Sequence, residues 1–264
     1  MFFKSSTKAK GFTLVEMVLV IIILGVLAGA TTQFIGLGTQ IFVETSGRDQ
    51  LISSARFAVE RLNREVRNAL PNSLRVNNSA NNSCLEFVPI VASTTYLDIP
   101  VSPEPDDDEI EFVPFDNPNE VNDLKVAVYP LSEADVYGAN NKVKLLAGAV
   151  TQNPSNKWTA TLDGGDTNFA ADSPTRRIYF IDSAVSFCID NVGEQKLYRH
   201  QNYNYDAGNM PDNNGVLMAE NLQLNINVVD ATLQRNSMVI LELTFNNYNE
   251  TIVFNNEIQV PNVP

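Results

Sequence analysis

The sequence has little of what most active sites are built from: one histidine, two cysteines and one tryptophan in 264 residues. Most zinc sites need several His or Cys ligands, and a lone His200 makes histidine-based catalysis hard to assemble. Basic residues are also scarce, with 18 Lys and Arg against 31 Asp and Glu. A phosphate-binding face needs clustered Lys and Arg, so the net charge of −13 argues against nucleic acid as a partner. The composition predicts a protein that is not an enzyme.

Apolar residues, by contrast, are plentiful. They make up 44% of the chain and include 14 Phe and 8 Tyr, which is enough to bury a core and argues against disorder. A chain of this length allows one large domain or two small ones.

The amino-terminal segment has an unusual charge pattern. The first eleven residues contain three Lys and no acid, and the only strongly polar members of residues 12–30 are Thr13 and Glu16. A helix of nineteen residues spans roughly 28 Å, close to the hydrocarbon core of a bilayer. Because Lys and Arg favour the cytoplasmic side, we expect the leader to stay inside and the rest to cross.

Two common explanations compete for this segment. One is a secretory signal peptide, cleaved after the small residues Ala28-Gly29-Ala30, and the other is an uncleaved membrane anchor. Neither accounts for Glu16, because a carboxylate within hydrocarbon costs about 2.5–3.5 kcal/mol even on the most lenient scale.

The string KGFTLVE, from Lys10 to Glu16, followed by an apolar helix resembles the prepilin signature of type IV pilins and type II secretion pseudopilins. The resemblance implies that a membrane peptidase cleaves after Gly11 and methylates the new amino terminus, Phe12. It also implies a role in assembly for Glu16, whose carboxylate would pair with the terminal ammonium of an adjacent subunit inside the membrane or the filament core.

A helical pattern continues well beyond the apolar run. Small and apolar residues recur at steps of three and four and predict one buried stripe: Leu51, Ala55, Ala58, Leu62, Val66 and Ala69. Since Pro71 disfavours helix at the residue before it, we expect one helix from Phe12 to about Asn68, roughly 85 Å long. Glycines at 36, 38 and 47 leave open whether residues 36–47 are continuous helix or a kinked or melting segment.

The remaining chain predicts an antiparallel β-rich head. Residues 72–83 have the composition of a loop. Strands are expected at 84–91, 110–115, 124–130, 143–151, 176–189, 216–229, 238–246 and 251–260. The fold class is therefore α+β, a type IV pilin-like long helix packed on a β-rich head with one shared core. We divide the chain into a leader (1–11), a transmembrane and filament-core helix (12–47) and a head (48–264).

The two cysteines, Cys84 and Cys188, are expected to form a disulfide, because cysteines of an exported domain most often pair. A disulfide closing a loop of about 100 residues stabilises a fold by up to about 4–5 kcal/mol. Two buried free thiols are the alternative.

Two minor hypotheses concern ligands of the head. The acidic run containing Asp106, Asp107 and Asp108, like the segment 163–168, suggests a weak calcium site, with a solvated turn as the alternative and no cofactor otherwise expected. Four aromatic residues suggest a sugar-binding face, with ordinary packing as the alternative: Trp158, Tyr198, Tyr203 and Tyr205.

Several stretches narrow the resemblance to minor pilins of the mannose-sensitive haemagglutinin (MSHA) type IV pilus. They are residues 34–41, 53–73, 84–87, 177–182 and 260–264, whereas residues 92–170 resemble nothing we recognise. More distantly, the helix is similar to PilW-type minor pilins and J-type pseudopilins.

This resemblance implies a structural subunit with its head in the periplasm, held in the inner membrane and later incorporated into a pilus at the cell surface. Its implied partners are other major and minor pilins, the prepilin peptidase and the inner-membrane assembly platform. A J-type pseudopilin, a membrane-anchored binding or adhesin domain and a tethered enzyme remain alternatives.

Overall fold

A computed structural model describes ten stretches of the chain: residues 11–78, 82–105, 107–138, 140–153, 156–190, 195–203, 211, 215–232, 235–247 and 250–261. The chain divides into two compact units, residues 1–50 and Leu51–Pro264. The fold class is α+β, with one long amino-terminal helix followed by an antiparallel β-rich head.

The first helix, α1, runs from Leu14 to Arg67. The sequence predicts its extent to within two residues at the start and one at the end, because the apolar run marks where the helix begins, and the apolar stripe and Pro71 mark where it ends. The glycines at 36 and 47 lie within helical backbone, so this structure has continuous helix over residues 36–47.

Within the first unit, the side chains of α1 are solvent-exposed, and many of them are large and hydrophobic. Threonine hydroxyls at 31, 32 and 39 donate to backbone carbonyl oxygens one turn earlier, at 2.8–3.0 Å. These bonds satisfy the polar groups inside the helix itself, as a membrane environment requires.

The second unit contains the rest of α1, a short helix and fifteen strands within its described residues. The strands are β1 (Arg75–Asn78), β2 (Asn82–Phe87), β3 (Ile90–Asp98), β4 (Glu109–Phe112), β5 (Lys125–Val128), β6 (Val143–Leu146), β7 (Thr151–Asn153), β8 (Lys157–Asp163), β9 (Arg177–Ile181), β10 (Val185–Asp190), β11 (Leu197–Gln201), β12 (Val216–Ala219), β13 (Leu222–Val229), β14 (Ser237–Asn247) and β15 (Glu250–Val260). A 3-10 helix, Pro118–Val121, and helix α2, Glu133–Tyr137, lie between strands.

The carboxyl-terminal part of α1 shares a core with two sheets. One sheet has five strands in the order β1-β2-β10-β11-β12, and the other has three in the order β13-β14-β15. The predicted helical stripe is confirmed, because all six of its residues are buried in this core. The strands expected at 216–229 and 238–246 contain β13 and most of β14, in which apolar residues alternate with polar ones: Leu222 of β13 and Val239, Leu241, Leu243 and Phe245 of β14 are buried.

Residues 90–181 form a closed barrel that the sequence did not predict. Its six strands pair in the cyclic order β3-β9-β5-β6-β8-β4, and β4 also pairs with β3 to complete the ring. Its interior is a separate core that includes Phe112, Trp158, Phe169 and Phe180. The expectation of one core shared with the helix is therefore wrong for this segment.

The barrel is inserted between two adjacent strands of the five-stranded sheet. β2 pairs with β10, and the same two chain segments continue into the barrel as β3 and β9, which also pair with each other. The insertion explains why the predicted strands 84–91 and 176–189 each divide into two elements. A joint cluster that includes Leu70, Val88, Ile181 and Ala184 fills the space between the barrel and the sheet.

A disulfide joins Cys84 of β2 to Cys188 of β10, as predicted. The two cysteines are directly opposite each other in the ladder. The prediction that residues 72–83 are a loop is wrong for β1, which pairs antiparallel with β2; residues 79–81 lie outside the described part of the chain.

Candidate functional site

The amino-terminal end of α1 carries the residues that the sequence singles out. Gly11, Phe12 and Thr13 are not helical, and the helix begins at Leu14. The Thr13 hydroxyl accepts a hydrogen bond from the backbone N–H of Glu16 at 3.3 Å. Thr13 is therefore the N-cap of α1, and Glu16 lies three residues inside, the spacing of a capping box.

Glu16 is solvent-exposed in the first turn of α1. A negative charge there interacts favourably with the helix macrodipole, by about 0.3–1 kcal/mol when exposed. Among the described residues Glu16 has no ion-pair partner. Since an unpaired carboxylate is costly inside a membrane, Glu16 is suited to pairing with a cation from outside its own helix.

The side chains around Glu16 form an extended apolar surface. Eighteen large hydrophobic residues between Leu14 and Val43 are 41–81% exposed. The helix is long and apolar enough to cross a membrane, and no part of its apolar window is buried within the described structure. A surface of this kind requires lipid or other apolar helices around it.

Of the three aspartates proposed as weak calcium ligands, the structure describes Asp107 and Asp108. Asp107 and Asp108 are exposed, and Asp107 accepts a hydrogen bond from the Glu109 backbone, while Asp106 lies outside the described residues. Within the described part of the chain no group of three His, Cys, Asp or Glu residues is arranged to hold a metal ion.

The sugar-binding hypothesis is wrong for two of its four aromatic residues. Trp158 lies in the barrel core, 5.2 Å from the ring of Phe115, and Tyr203 is buried. Neither ring has a free face for a sugar to stack on. Tyr198 is half-buried on β11, and Tyr205 lies outside the described residues.

A buried polar network, which the sequence did not predict, crosses the five-stranded sheet. Arg75, Glu86, Ser186 and His200 are successive cross-strand partners on β1, β2, β10 and β11. Arg75 pairs with the Glu86 carboxylate, to which the Tyr203 hydroxyl donates at 2.6 Å. Burial raises the pKa of the Tyr203 hydroxyl, and the hydrogen bond to Glu86 raises it further.

This network places the single histidine opposite a serine, but not as a catalytic pair. Ser186 is fully buried, and its hydroxyl forms hydrogen bonds with the Tyr203 hydroxyl and with the Glu86 carboxylate. A substrate cannot reach a nucleophile in that position. The network instead links four neighbouring strands of the sheet.

A groove lies where the last turns of α1 meet β10 and β11. Its volume is about 560 Å³, and it is lined by Arg61, Arg64, Glu65, Asn68, Pro89, Val185 and Arg199. The Glu65 carboxylate accepts hydrogen bonds from Nε of Arg199 at 2.8 and 3.0 Å and also pairs with Arg61. Sequence reasoning missed this site because Glu65 and Arg199 are 134 residues apart.

Comparison with known protein families gives a match at the amino-terminal end of the chain. Residues 6–32 match the family model described as the prokaryotic N-terminal methylation motif. The matched segment contains Gly11, Phe12 and Glu16, and it supports a type IV pilin-like family and a structural, membrane-anchored subunit. No curated protein and no solved structure matches the chain.

Proposed function

We propose that this protein is a minor pilin, a subunit of an MSHA-like type IV pilus that enters the fibre through α1. The observation that carries the proposal is the methylation motif joined to an uncovered apolar helix with one carboxylate, Glu16, in its first turn. A plain anchor gains nothing from that carboxylate, whereas a fibre subunit gains a charge partner for its neighbour.

In this proposal the prepilin peptidase cleaves after Gly11 and methylates Phe12. The new terminal ammonium is then the cation with which Glu16 of an adjacent subunit pairs. The subunit first lies in the inner membrane with its head in the periplasm. The assembly platform transfers it into the fibre among other major and minor pilins, and it reaches the cell surface.

The size of the head favours assignment as a minor pilin over assignment as a major pilin. A major pilin usually has a head of about half this size. The additional mass here is the barrel, which is separate from the core that α1 shares with the two sheets. We therefore assign the protein to assembly initiation or to a tip complex for surface attachment, with the barrel available for contact.

The MSHA assignment rests on stretches that resemble the minor pilin MshO. They lie in α1 and the turn that follows it (residues 34–41 and 53–73), in β2 (84–87), in the barrel strand β9 (177–182) and at the end of the chain (260–264). A J-type pseudopilin is the alternative. Deleting the gene in its host separates the two, because loss of MSHA-like pili supports the proposal and loss of type II secretion supports the pseudopilin.

The first experiment measures the mass and the amino-terminal residue of the protein purified from host membranes. We expect N-methylated Phe12 as the first residue. A start at Thr31 would make the segment a signal peptide, and an intact Met1 would make the protein a tethered binding domain. Either result contradicts the proposal.

A second experiment tests Glu16 directly. We expect Glu16→Gln to remain membrane-held and folded but to be absent from sheared pili, because the amide cannot neutralise a terminal ammonium. Glu44→Gln is the matched control, since Glu44 is also exposed on α1 and accepts a hydrogen bond from the nearby Gln40 side chain. Normal incorporation of the Glu16→Gln subunit contradicts the charge-pairing mechanism.

A further inference from the structure

The groove at the end of α1, which we call the arginine groove, is positively charged in an acidic protein. Three guanidinium groups, of Arg61, Arg64 and Arg199, line it together with a single carboxylate, Glu65. Its formal charge of +2 contrasts with −13 for the chain. A local excess of positive charge on an acidic surface attracts anionic groups to that place.

Two of the three arginines are fixed in position before any ligand arrives. Arg61 and Arg199 both bond to Glu65, and only 14% of the Arg199 side chain is exposed. Each guanidinium has five N–H donors, so one shared carboxylate leaves both with donors to offer. Because the arginine side chains are already ordered, a ligand loses less conformational entropy on binding there.

The chemistry of the groove is that of carboxylate recognition. Arg199 already binds one carboxylate in this structure, because both carboxylate oxygens of Glu65 lie within 3.0 Å of the Arg199 Nε. The remaining N–H groups of these planar guanidinium groups match the geometry of a second carboxylate. Pro89 and Val185 add apolar surface, on which the methylene groups of an acidic side chain can pack.

The third arginine is available to a ligand. Arg64 is exposed, and within the described residues its side chain has no hydrogen bond or ion pair. Arg67, one turn further along, is equally exposed and equally without such contacts, but it does not line the groove. The two arginines differ in one relevant respect, their position relative to the groove.

We propose that the arginine groove binds side-chain carboxylates on an acidic segment of a neighbouring subunit in the fibre. The inference rests on the proposed function, which places other subunits around α1. Its physical basis is charge complementarity: residues 48–75 carry six Arg against three acids, whereas residues 90–181 carry fifteen acids against six bases. Acidic heads packed in a fibre repel each other unless positive surfaces face some of their carboxylates.

Site-directed cross-linking in intact piliated cells tests the proposal. Arg64→Lys keeps the positive charge and adds an amine that a water-soluble carbodiimide couples to a carboxylate in contact with it. We expect an amide bond between Lys at position 64 and an Asp or Glu of another pilus subunit, identified by mass spectrometry. Arg67→Lys, the matched control, should give at least tenfold less of that adduct.

Three results overturn the proposal: no intermolecular adduct from position 64 in fibres that contain the variant, equal adducts from positions 64 and 67, or coupling to a lipid phosphate instead of a side chain. Incorporation into pili is measured in the same cells. If even the unaltered chain is absent from pili, the proposed function fails; if the Arg64→Lys subunit is incorporated without an adduct, the groove proposal alone fails.

Charge reversal gives an independent readout. We expect Arg64→Glu to reduce incorporation severalfold, because the groove then repels the carboxylate it binds, and Arg67→Glu to have no such effect. Equal incorporation of the two variants also contradicts the proposal.

Discussion

At the scale of single residues, the buried network around Glu86 ties a tyrosine hydroxyl of the head to a buried ion pair. Glu86 is fully buried and Arg75 is 6% exposed, so their charges are removed from water and depend on each other and on the Tyr203 hydroxyl. Arg75 also lies over the ring of Tyr137, 3.7 Å from its centroid. Removing one partner from such a network leaves a buried group without compensation.

Deprotonation of the Tyr203 hydroxyl sets an upper pH above which this network no longer contributes fully to stability. Burial, and then the hydrogen bond to Glu86, raise the pKa of its hydroxyl above the ordinary value of about 10. The folded state therefore retains a proton that the unfolded chain loses. This contribution to stability is complete below about pH 10 and is lost as pH rises toward the folded-state pKa.

We predict that Tyr203→Phe lowers the melting temperature at pH 8 and flattens its decline between pH 9 and 11. At pH 8 the free energy of unfolding should fall by about 1.5–3 kcal/mol, since the lost hydrogen bond is to a charged group. Tyr198→Phe, half-buried on β11, is the control and should keep the decline of the unaltered chain. An equally steep decline in Tyr203→Phe contradicts the assignment.

At the scale of elements, the disulfide between β2 and β10 holds together the two strands between which the barrel is inserted. The cysteines are 104 residues apart, and nearly all of the intervening chain belongs to the barrel and its joints. Because so long a loop is closed, most of the stabilisation arises from restricting the unfolded chain.

We predict that replacing both Cys84 and Cys188 by Ala lowers the free energy of unfolding by up to about 4–5 kcal/mol without changing the fold. Urea unfolding of the full chain in detergent, followed by circular dichroism, measures the difference. Dithiothreitol should destabilise the unaltered chain by a similar amount and leave the double variant unchanged. Equal midpoints for the oxidised chain and the double variant would contradict the prediction.

The elements that the sequence predicts well have regular patterns of burial. The α1 stripe and strands β13 and β14 each bury one face, so apolar residues recur with the period of the element. Strand β8 does not follow this rule, because Trp158, Thr159 and Ala160 are all buried in succession. Several barrel strands have four residues or fewer, too short for alternation to stand out.

The buried network and the arginine groove could not be predicted from the sequence, for a different reason. Arg75 and Glu86 are brought together by the pairing of β1 with β2, and Arg199 reaches Glu65 through the packing of β11 on α1. No local pattern marks such pairs, because each depends on strand register and tertiary packing. The amino-terminal motif, in contrast, is local and was read directly from seven adjacent residues.

At the scale of the whole molecule, the barrel is a separable part of the head. It has its own interior, and β2 and β10 pair directly with each other rather than through the barrel. The motif, Glu16 and the arginine groove all lie outside residues 90–181. Entry into the fibre and any contact made through the barrel should therefore be separable by mutation.

We predict that replacing residues 90–182 by a short Asn-Gly turn leaves a folded subunit that still enters pili. The free energy of unfolding should fall, because the joint cluster around Leu70 and Val88 loses the partners that cover it, and the disulfide closes a much shorter loop. Incorporation is measured in sheared pili and adherence in the same cells, with the Cys84–Cys188 bond as the test of correct folding. If this subunit keeps its disulfide yet fails to enter the fibre, the barrel takes part in assembly and is not an independent module. If the subunit enters the fibre and adherence is lost, the barrel carries the contact with the surface.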